Sequence, residues 1–266
     1  MNKVAIARET LRITKEKQYV VGEETVFLPE QDYAQVIVYS PKAGAALSFE
    51  KQDGAPMCTF SVTTEDSFQA AQHFDNPLVM NFANAHSPGG GFLFGAQAQE
   101  EALCRCSTLY VSLTSKEAKE MYLFNNTHLK AVESDYMLLS PTVCVFRDAK
   151  YNLLKTPFLA AVITLPAPNR RGAALFASNK TIDQTFFRRI RIMLCIAAAN
   201  GYRSLVLGAW GCGEFGNKPE HVAEIFRQVL IDEQYGTAFD EVRFAIYGRP
   251  DGRNYLAFRD VFGTDV

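Results

Sequence analysis

Two adjacent carboxylates, Glu100 and Glu101, follow Gln99 and stand just beyond an uninterrupted triple glycine, Gly89-Gly90-Gly91, with residues 92–98 between. Consecutive glycines admit positive φ and let a backbone approach a ligand closely. Loop amides that lead into a helix N-terminus form an anion-binding concavity. Residues 78–110, LVMNFANAHSPGGGFLFGAQAQEEALCRCSTLY, read as a strand bearing Asn81 and Asn84, this loop with Gly95 after it, and then a helix opening on the two acids. By itself a triple glycine is most often a flexible turn. The i,i+4 spacing of Glu101 and Arg105 equally suits a solvated helical pair.

A second segment, residues 205–217 (LVLGAWGCGEFGN), runs from an apolar strand through Gly208, Gly211, Gly213 and Gly216 to a helix starting near Pro219. Two strand–glycine loop–helix units in one sheet suit a ligand with several polar groups to cradle, such as a diphosphate. Neither loop has the GxGxxG spacing in a leading βαβ unit, and neither ends in Gly-Lys-Ser/Thr, which disfavours a Rossmann site and excludes a P-loop.

The elements that must hold these loops alternate from Pro77 onward. Apolar, β-rich runs occur at 78–82, 143–147, 158–165, 204–207 and 242–247. Helical periodicity covers 98–113, 116–126, 182–200 (closed by Gly201), 219–232 and 254–261. Buried strands alternating with helices imply a sheet covered on both faces, with ligands at the carboxyl ends of its strands. The first part of the chain is less regular. A charged helix runs to about Lys17, extended runs follow at 19–28, 35–39 and 57–62, and Thr64 is placed to N-cap a helix through about His73. The organisation expected is one main α/β/α domain over 76–266 with an N-terminal accessory region, 1–75, packed on it.

The motifs resemble those of the microbial poly(ADP-ribose) glycohydrolases of the macrodomain superfamily, which carry a GGG, a short spacer and then QEE. The strand with Asn81 and Asn84 is similar to the one that meets the ribose nearest the chemistry. Residues 208–216 resemble the family's second phosphate loop, with Phe215 at the aromatic beside the distal ribose, and 134–148 and 242–262 also match. The resemblance implies a macrodomain-like three-layer α/β/α sandwich with a mixed sheet and an N-terminal extension. It implies cleavage of ribose–ribose O-glycosidic bonds, exo-acting by default. Such cleavage needs a proton for the departing oxygen and stabilisation of an oxocarbenium-like centre. On this resemblance Glu101 protonates the leaving ribose and then activates water, while Glu100 holds the substrate hydroxyls. The implied substrate contacts are Asn84, Gly89, Gly90, Gly91, Gln99, Gly208, Gly211, Cys212, Gly213, Glu214, Phe215 and Gly216. Poly(ADP-ribose) or ADP-ribosylated proteins would be the partners and ADP-ribose the product, with no cofactor and no metal. The rival readings are a macrodomain that binds ADP-ribose without cutting it, or a hydrolase for mono-ADP-ribose; paired acids beside the glycine loop favour cutting.

Bulk properties narrow the classes further. The chain has 266 residues, 48% hydrophobic and 21% charged, enough for a sizeable core. Its net charge of −2 argues against binding nucleic acid mainly through phosphate neutralisation, and no sequence-specific nucleic-acid partner is expected. The six cysteines form no CxxC pair and read as buried thiols of a reducing compartment, and no apolar run approaches the roughly 20 residues a membrane span needs. A cytoplasmic protein with no membrane partner is expected. The histidines at 73, 86, 128 and 221 lack metal-ligand spacing, and Cys104 with Cys106 supplies only two ligands. Asn169-Arg170-Arg171 reads as a solvated basic turn, with steering of a polyanion as the alternative; Trp210 lines the pocket or the core.

Overall fold

The computed structural model describes residues 2–50, 54, 56 and 58–263. In chain order the elements are α1 (Lys3–Glu16), β1 (Gln18–Val21), β2 (Glu24–Phe27), β3 (Ile37–Tyr39), α2 (Pro41–Ala45), β4 (Thr59–Thr63), α3 (Ser67–Ala71) and β5 (Leu78–Phe82). They continue with α4 (Gln99–Cys106), α5 (Leu109–Leu113), α6 (Lys119–Thr127), β6 (Met137–Arg147), β7 (Leu153–Leu165), α7 (Asn179–Ala199), β8 (Ser204–Leu207), α8 (Pro219–Arg227), β9 (Glu241–Ala245) and α9 (Arg253–Phe262).

Seven strands form one mixed sheet in the order β3-β6-β7-β5-β8-β9-β4. The pairs β3–β6 and β6–β7 are antiparallel, whereas β7–β5, β5–β8, β8–β9 and β9–β4 are parallel. Alternation along the central strands assigns the two faces. Leu78, Met80, Leu205, Leu207, Val242 and Phe244 join the cluster formed with α7, α8 and α9. Val79, Val206 and Ala245 join the opposite cluster, with Leu103, Leu109 and Met121 of α4–α6. Period-two strands buried on both faces therefore make the α/β/α sandwich that the sequence suggests.

Residues 37–39 and 59–63 supply the two edge strands of this sheet, while α1 and the β1–β2 hairpin pack outside it. The extended run expected over 19–28 is that hairpin, turned at Gly22 with φ +64°. Met57, which opens the expected run 57–62, lies outside the described residues.

Several boundaries move for identifiable reasons. The helix expected over 98–113 stops at Cys106, because Ser107 is extended and bridges to Val145, while Thr108 exchanges hydrogen bonds with Cys144 of β6. The helix expected to begin after Thr64 is instead capped by Asp66, whose side chain accepts from Phe68 N and Gln69 N in a capping box with Gln69. The run expected to end at Asp232 leaves α-helical geometry after Arg227 and closes in a π-turn over 228–232. Strands β6 and β7 extend well beyond the segments 143–147 and 158–165, with a register shift between Ser140 and Val143.

Candidate functional site

The site assembles at the carboxyl ends of β5 and β8. Strand β5 alternates, so Asn81 faces the side on which α4 packs. Helix α4 lies between α1 and the sheet, with Thr10 Oγ1 donating to Arg105 O at 2.7 Å. This packing buries both acids of the first turn: Glu100 is 2% exposed and Glu101 7%.

Glu100 accepts from Asn81 Nδ2 at 3.2 Å through Oε1 and from Asn84 N at 2.8 Å through Oε2. Asn81 Nδ2 also reaches Thr164 Oγ1 at 3.2 Å, and its own Oδ1 is buried without a partner among the described residues. Complete burial pushes the Glu100 carboxyl up to about 8, outweighing the hydrogen bonds from Asn84 and Asn81 that favour its anion; the Glu101 charge adds to the rise. Glu101 is held differently. Its Oε1 accepts from Gly91 N at 2.9 Å, while Oε2 is buried with no hydrogen-bond partner among the described residues. Glu101 and Arg105 do not form the solvated pair that their spacing allows. Arg105 is fully buried over the Tyr151 ring at 5.3 Å, and its guanidinium makes no hydrogen bond among the described residues.

The triple glycine is folded onto these acids. Gly90, at φ +55°, lies so close to Glu101 that a Cβ would sit 2.4 Å from Oε1. Asn84 Oδ1 accepts from His86 N and Ser87 N, shaping the entry to the loop. From α6, Asn125 Nδ2 donates to Ala85 O and Asn126 Nδ2 to His86 O, so one helix face clamps that entry.

Gln99, expected among the substrate contacts, commits its amide to the protein. Its Oε1 accepts from Phe82 N at 2.9 Å, and its Nε2 donates to Met80 O at 2.8 Å and Ser67 Oγ at 3.0 Å. Met80 O and Phe82 N lie past Leu78 and Val79, the residues of β5 registered to β8. The side-chain amide thus completes a strand edge that β8 leaves open, and it locks the start of α4 to β5.

The second loop follows β8. Gly208 packs so tightly that a Cβ would meet Ala245 O at 2.8 Å and the Phe82 ring at 2.9 Å. Gly211 is buried, Cys212, Phe215 and Gly216 are half-buried, and Gly213 and Glu214 are exposed. The loop is pinned by Asn217, a residue the sequence reading passed over. Its Nδ2 donates to Pro168 O at 2.8 Å and Gly211 O at 3.0 Å, and its Oδ1 accepts from Arg170 Nε at 3.1 Å. Arg170 N donates to Phe215 O at 3.0 Å, so the basic turn after β7 is joined to the glycine loop rather than standing apart in solvent. Trp210 belongs to the core, with its indole edge-on to Phe186 and Nε1 donating to Leu165 O. The arrangement places two loops of backbone amides beside two buried carboxyls, one of them with an uncommitted oxygen. Among the described residues no group of three or more His, Cys, Asp or Glu is arranged to hold a metal.

Comparison with known proteins gives one family. The model of the microbial-type PARG catalytic domain matches residues 7–148. Among solved structures, poly(ADP-ribose) glycohydrolase from Thermomonospora curvata is 36% identical, with a TM-score of 0.90 over 98% of this chain and 99% of that one. The same enzyme bound to the inhibitor ADP-HPD aligns at 36% identity and a TM-score of 0.88, covering 97% and 98% of the two chains. Poly(ADP-ribose) glycohydrolase from Deinococcus radiodurans in complex with ADP-ribose is 38% identical, with a TM-score of 0.77 over 88% of this chain and 98% of that one. A search of curated proteins returned no match.

Proposed function

The chain belongs to the microbial-type poly(ADP-ribose) glycohydrolase family and is a glycosidase, and from that premise we propose how its residues cut the polymer. The observation that carries the reading is the pair of buried carboxyls in one helical turn, Glu101 with a free Oε2 and Glu100 with both oxygens engaged.

Glu101 is the general acid and then the base. The Gly91 amide occupies Oε1, which leaves Oε2 to carry a proton to the departing 2′-oxygen and later to draw one from the attacking water. Glu100, fixed by Asn81 and Asn84, orients the ribose through its hydroxyls. Amides of residues 208–216 hold the diphosphate, needing no lysine, while the triple-glycine loop backs the acids, with Gly90 N donating to Ser87 O and Gly91 N to Glu101. Asn84, Cys212, Glu214 and Phe215 complete the pocket, Phe215 against the distal ribose. Gln99 contributes by fixing α4 on β5.

Substrates are poly(ADP-ribose) and proteins carrying it, and ADP-ribose is released from chain ends. Every group with a chemical role lies within 76–266; of residues 1–75, α1 and the β1–β2 hairpin are the accessory part, α1 backing α4, while β3 and β4 are edge strands of the catalytic sheet itself. We place the protein in the cytoplasm. Six free thiols, five of them buried, support that location, and no helix among the described residues is long and apolar enough to cross a membrane.

The test is release of ADP-ribose from purified poly(ADP-ribose) by the native protein and by Glu101→Gln, with calorimetric binding of ADP-ribose to both. Removing a general acid should lower the rate by ~10²–10⁴-fold while ADP-ribose still binds. If both proteins bind ADP-ribose and neither cuts the polymer, the site is a reader or serves another ADP-ribose linkage.

A further inference from the structure

The turn after β7 holds two adjacent arginines with different commitments. Arg170 spends its guanidinium on Asn217 and Asn179. The Arg171 guanidinium makes no hydrogen bond or ion pair among the described residues. Its stem lies along the second glycine loop, with Nε 3.0 Å from the position of a Cβ on Gly216. Farther along the same turn Phe176 is 95% exposed and Leu175 59%. A phenyl ring left almost wholly in water, five residues along the chain from an uncommitted guanidinium, contributes nothing to the core, and contiguous exposed apolar groups mark recognition surfaces.

Topology says what could reach them. β7 runs parallel beside β5 in the sheet, so the turn and the triple-glycine loop leave the sheet at the same end, and the Arg170 N to Phe215 O bond ties the turn to the other loop. On the reading above, the scissile bond sits between Glu101 and Phe215, and the polymer must continue from there out of the pocket. The unit on the far side of that bond carries an adenine and a diphosphate. A guanidinium pairs with a diphosphate through a planar fork of donors, and a phenyl ring stacks on an adenine face. With a net charge of −2, the protein has no general pull on a polyanion, so a local cation decides where the polymer lies.

We propose that Arg171 and Phe176 form a leaving-side subsite for the diphosphate and adenine of the next ADP-ribose unit. This rests on the glycohydrolase reading, which supplies the position of the scissile bond. The subsite favours polymer over isolated ADP-ribose, because only a polymer fills both halves.

The experiment uses the full chain carrying Glu101→Gln, so that substrate persists, and measures binding of ADP-ribose and of short poly(ADP-ribose) oligomers. Adding Phe176→Ala or Arg171→Gln should weaken oligomer binding by about tenfold while ADP-ribose binding changes less than about twofold. Arg171→Gln should also reduce the slope of log affinity against log salt for the oligomer by about one. In the active protein the same changes should raise KM for polymer and leave kcat. Oligomer affinity unchanged in both variants overturns the subsite. Equal losses for monomer and oligomer overturn it too, because the residues would then serve the terminal unit. If the Glu101→Gln parent binds neither ligand, the glycohydrolase reading fails first and the subsite with it.

Discussion

Gly90 and Glu101 are fitted to one another: a Cβ on Gly90 would lie 2.4 Å from Glu101 Oε1, in a backbone with φ +55°. The glycine lets the loop close on the acid, and the Gly91 amide then fixes the carboxyl at 2.9 Å. Glycine is needed here for close approach as much as for its left-handed conformation.

Gly90→Ala should therefore act on chemistry more than on folding. The added methyl must displace the carboxyl or the loop, and misplacement of a catalytic group by about 1 Å costs roughly 10²-fold. The conformational strain is about 1–2 kcal/mol. Polymer hydrolysis and thermal unfolding measured together check this; a normal rate with a folded protein would show that the Gly90–Glu101 contact does not position the acid.

Glu100 makes stability depend on pH in a direction opposite to an ordinary surface carboxylate. Its folded value is about 8 against 4.5 for the unperturbed group. Between these values the folded protein retains a proton that the unfolded chain has released, so this group's contribution falls as pH rises from 4.5 to 8. The slope for a single group is about 1.4 kcal/mol per pH unit. Glu100→Gln removes it, and turning the Asn81 amide over would offer its unpartnered Oδ1 to the new amide. The variant should gain on the native protein by several kcal/mol between pH 5 and 8 in urea unfolding. Parallel stability curves would show that Glu100 ionises normally.

Gln99→Leu separates positioning from ligand contact. The change keeps the volume but leaves Met80 O and Phe82 N unpaired, a loss of about 2–4 kcal/mol. Thermal unfolding should show that loss, and hydrolysis should fall as α4 loosens from β5. ADP-ribose affinity should hold to within about threefold, since 1.4 kcal/mol is a tenfold change in binding. Affinity lost with stability intact would instead make Gln99 a substrate contact.

The parts of this molecule legible in sequence are those with local causes. Strand periodicity and the glycine runs mark β5, β8 and their loops, and the QEE lies where α4 begins. What escaped depends on partners far along the chain. Gln99 reads as a pocket residue because its partners Phe82 and Ser67 are 17 and 32 positions away. Thr164 meets Asn81 across 83 positions, and Asn217 reaches Pro168 across 49. The break at Ser107 needs Val145 of β6, which no helical pattern announces. Strands β3 and β4 fall on the extended runs read at 35–39 and 57–62, but their places at the two edges of the main sheet come from pairing with β6 and β9.

Asn217 offers the last test, because it organises the second loop while its polar groups face protein. It is 4% exposed, with Nδ2 bonded to Pro168 O and Gly211 O and Oδ1 to Arg170 Nε. Asn217→Ala leaves these groups unpaired and should cost about 1–3 kcal/mol of stability. It should also weaken ADP-ribose binding by about tenfold, since the ligand must then order a loop that the native protein holds ready. Asn217→Asp separates the bonds: it keeps an acceptor for Arg170 but turns an oxygen toward the carbonyls of Pro168 and Gly211. If the two donated bonds hold the loop, Asp should be at least as damaging as Ala in calorimetry and unfolding. If the Arg170 bond dominates, Asp should restore most of the affinity. Native-like binding by Asn217→Ala would show that the loop keeps its shape without this anchor.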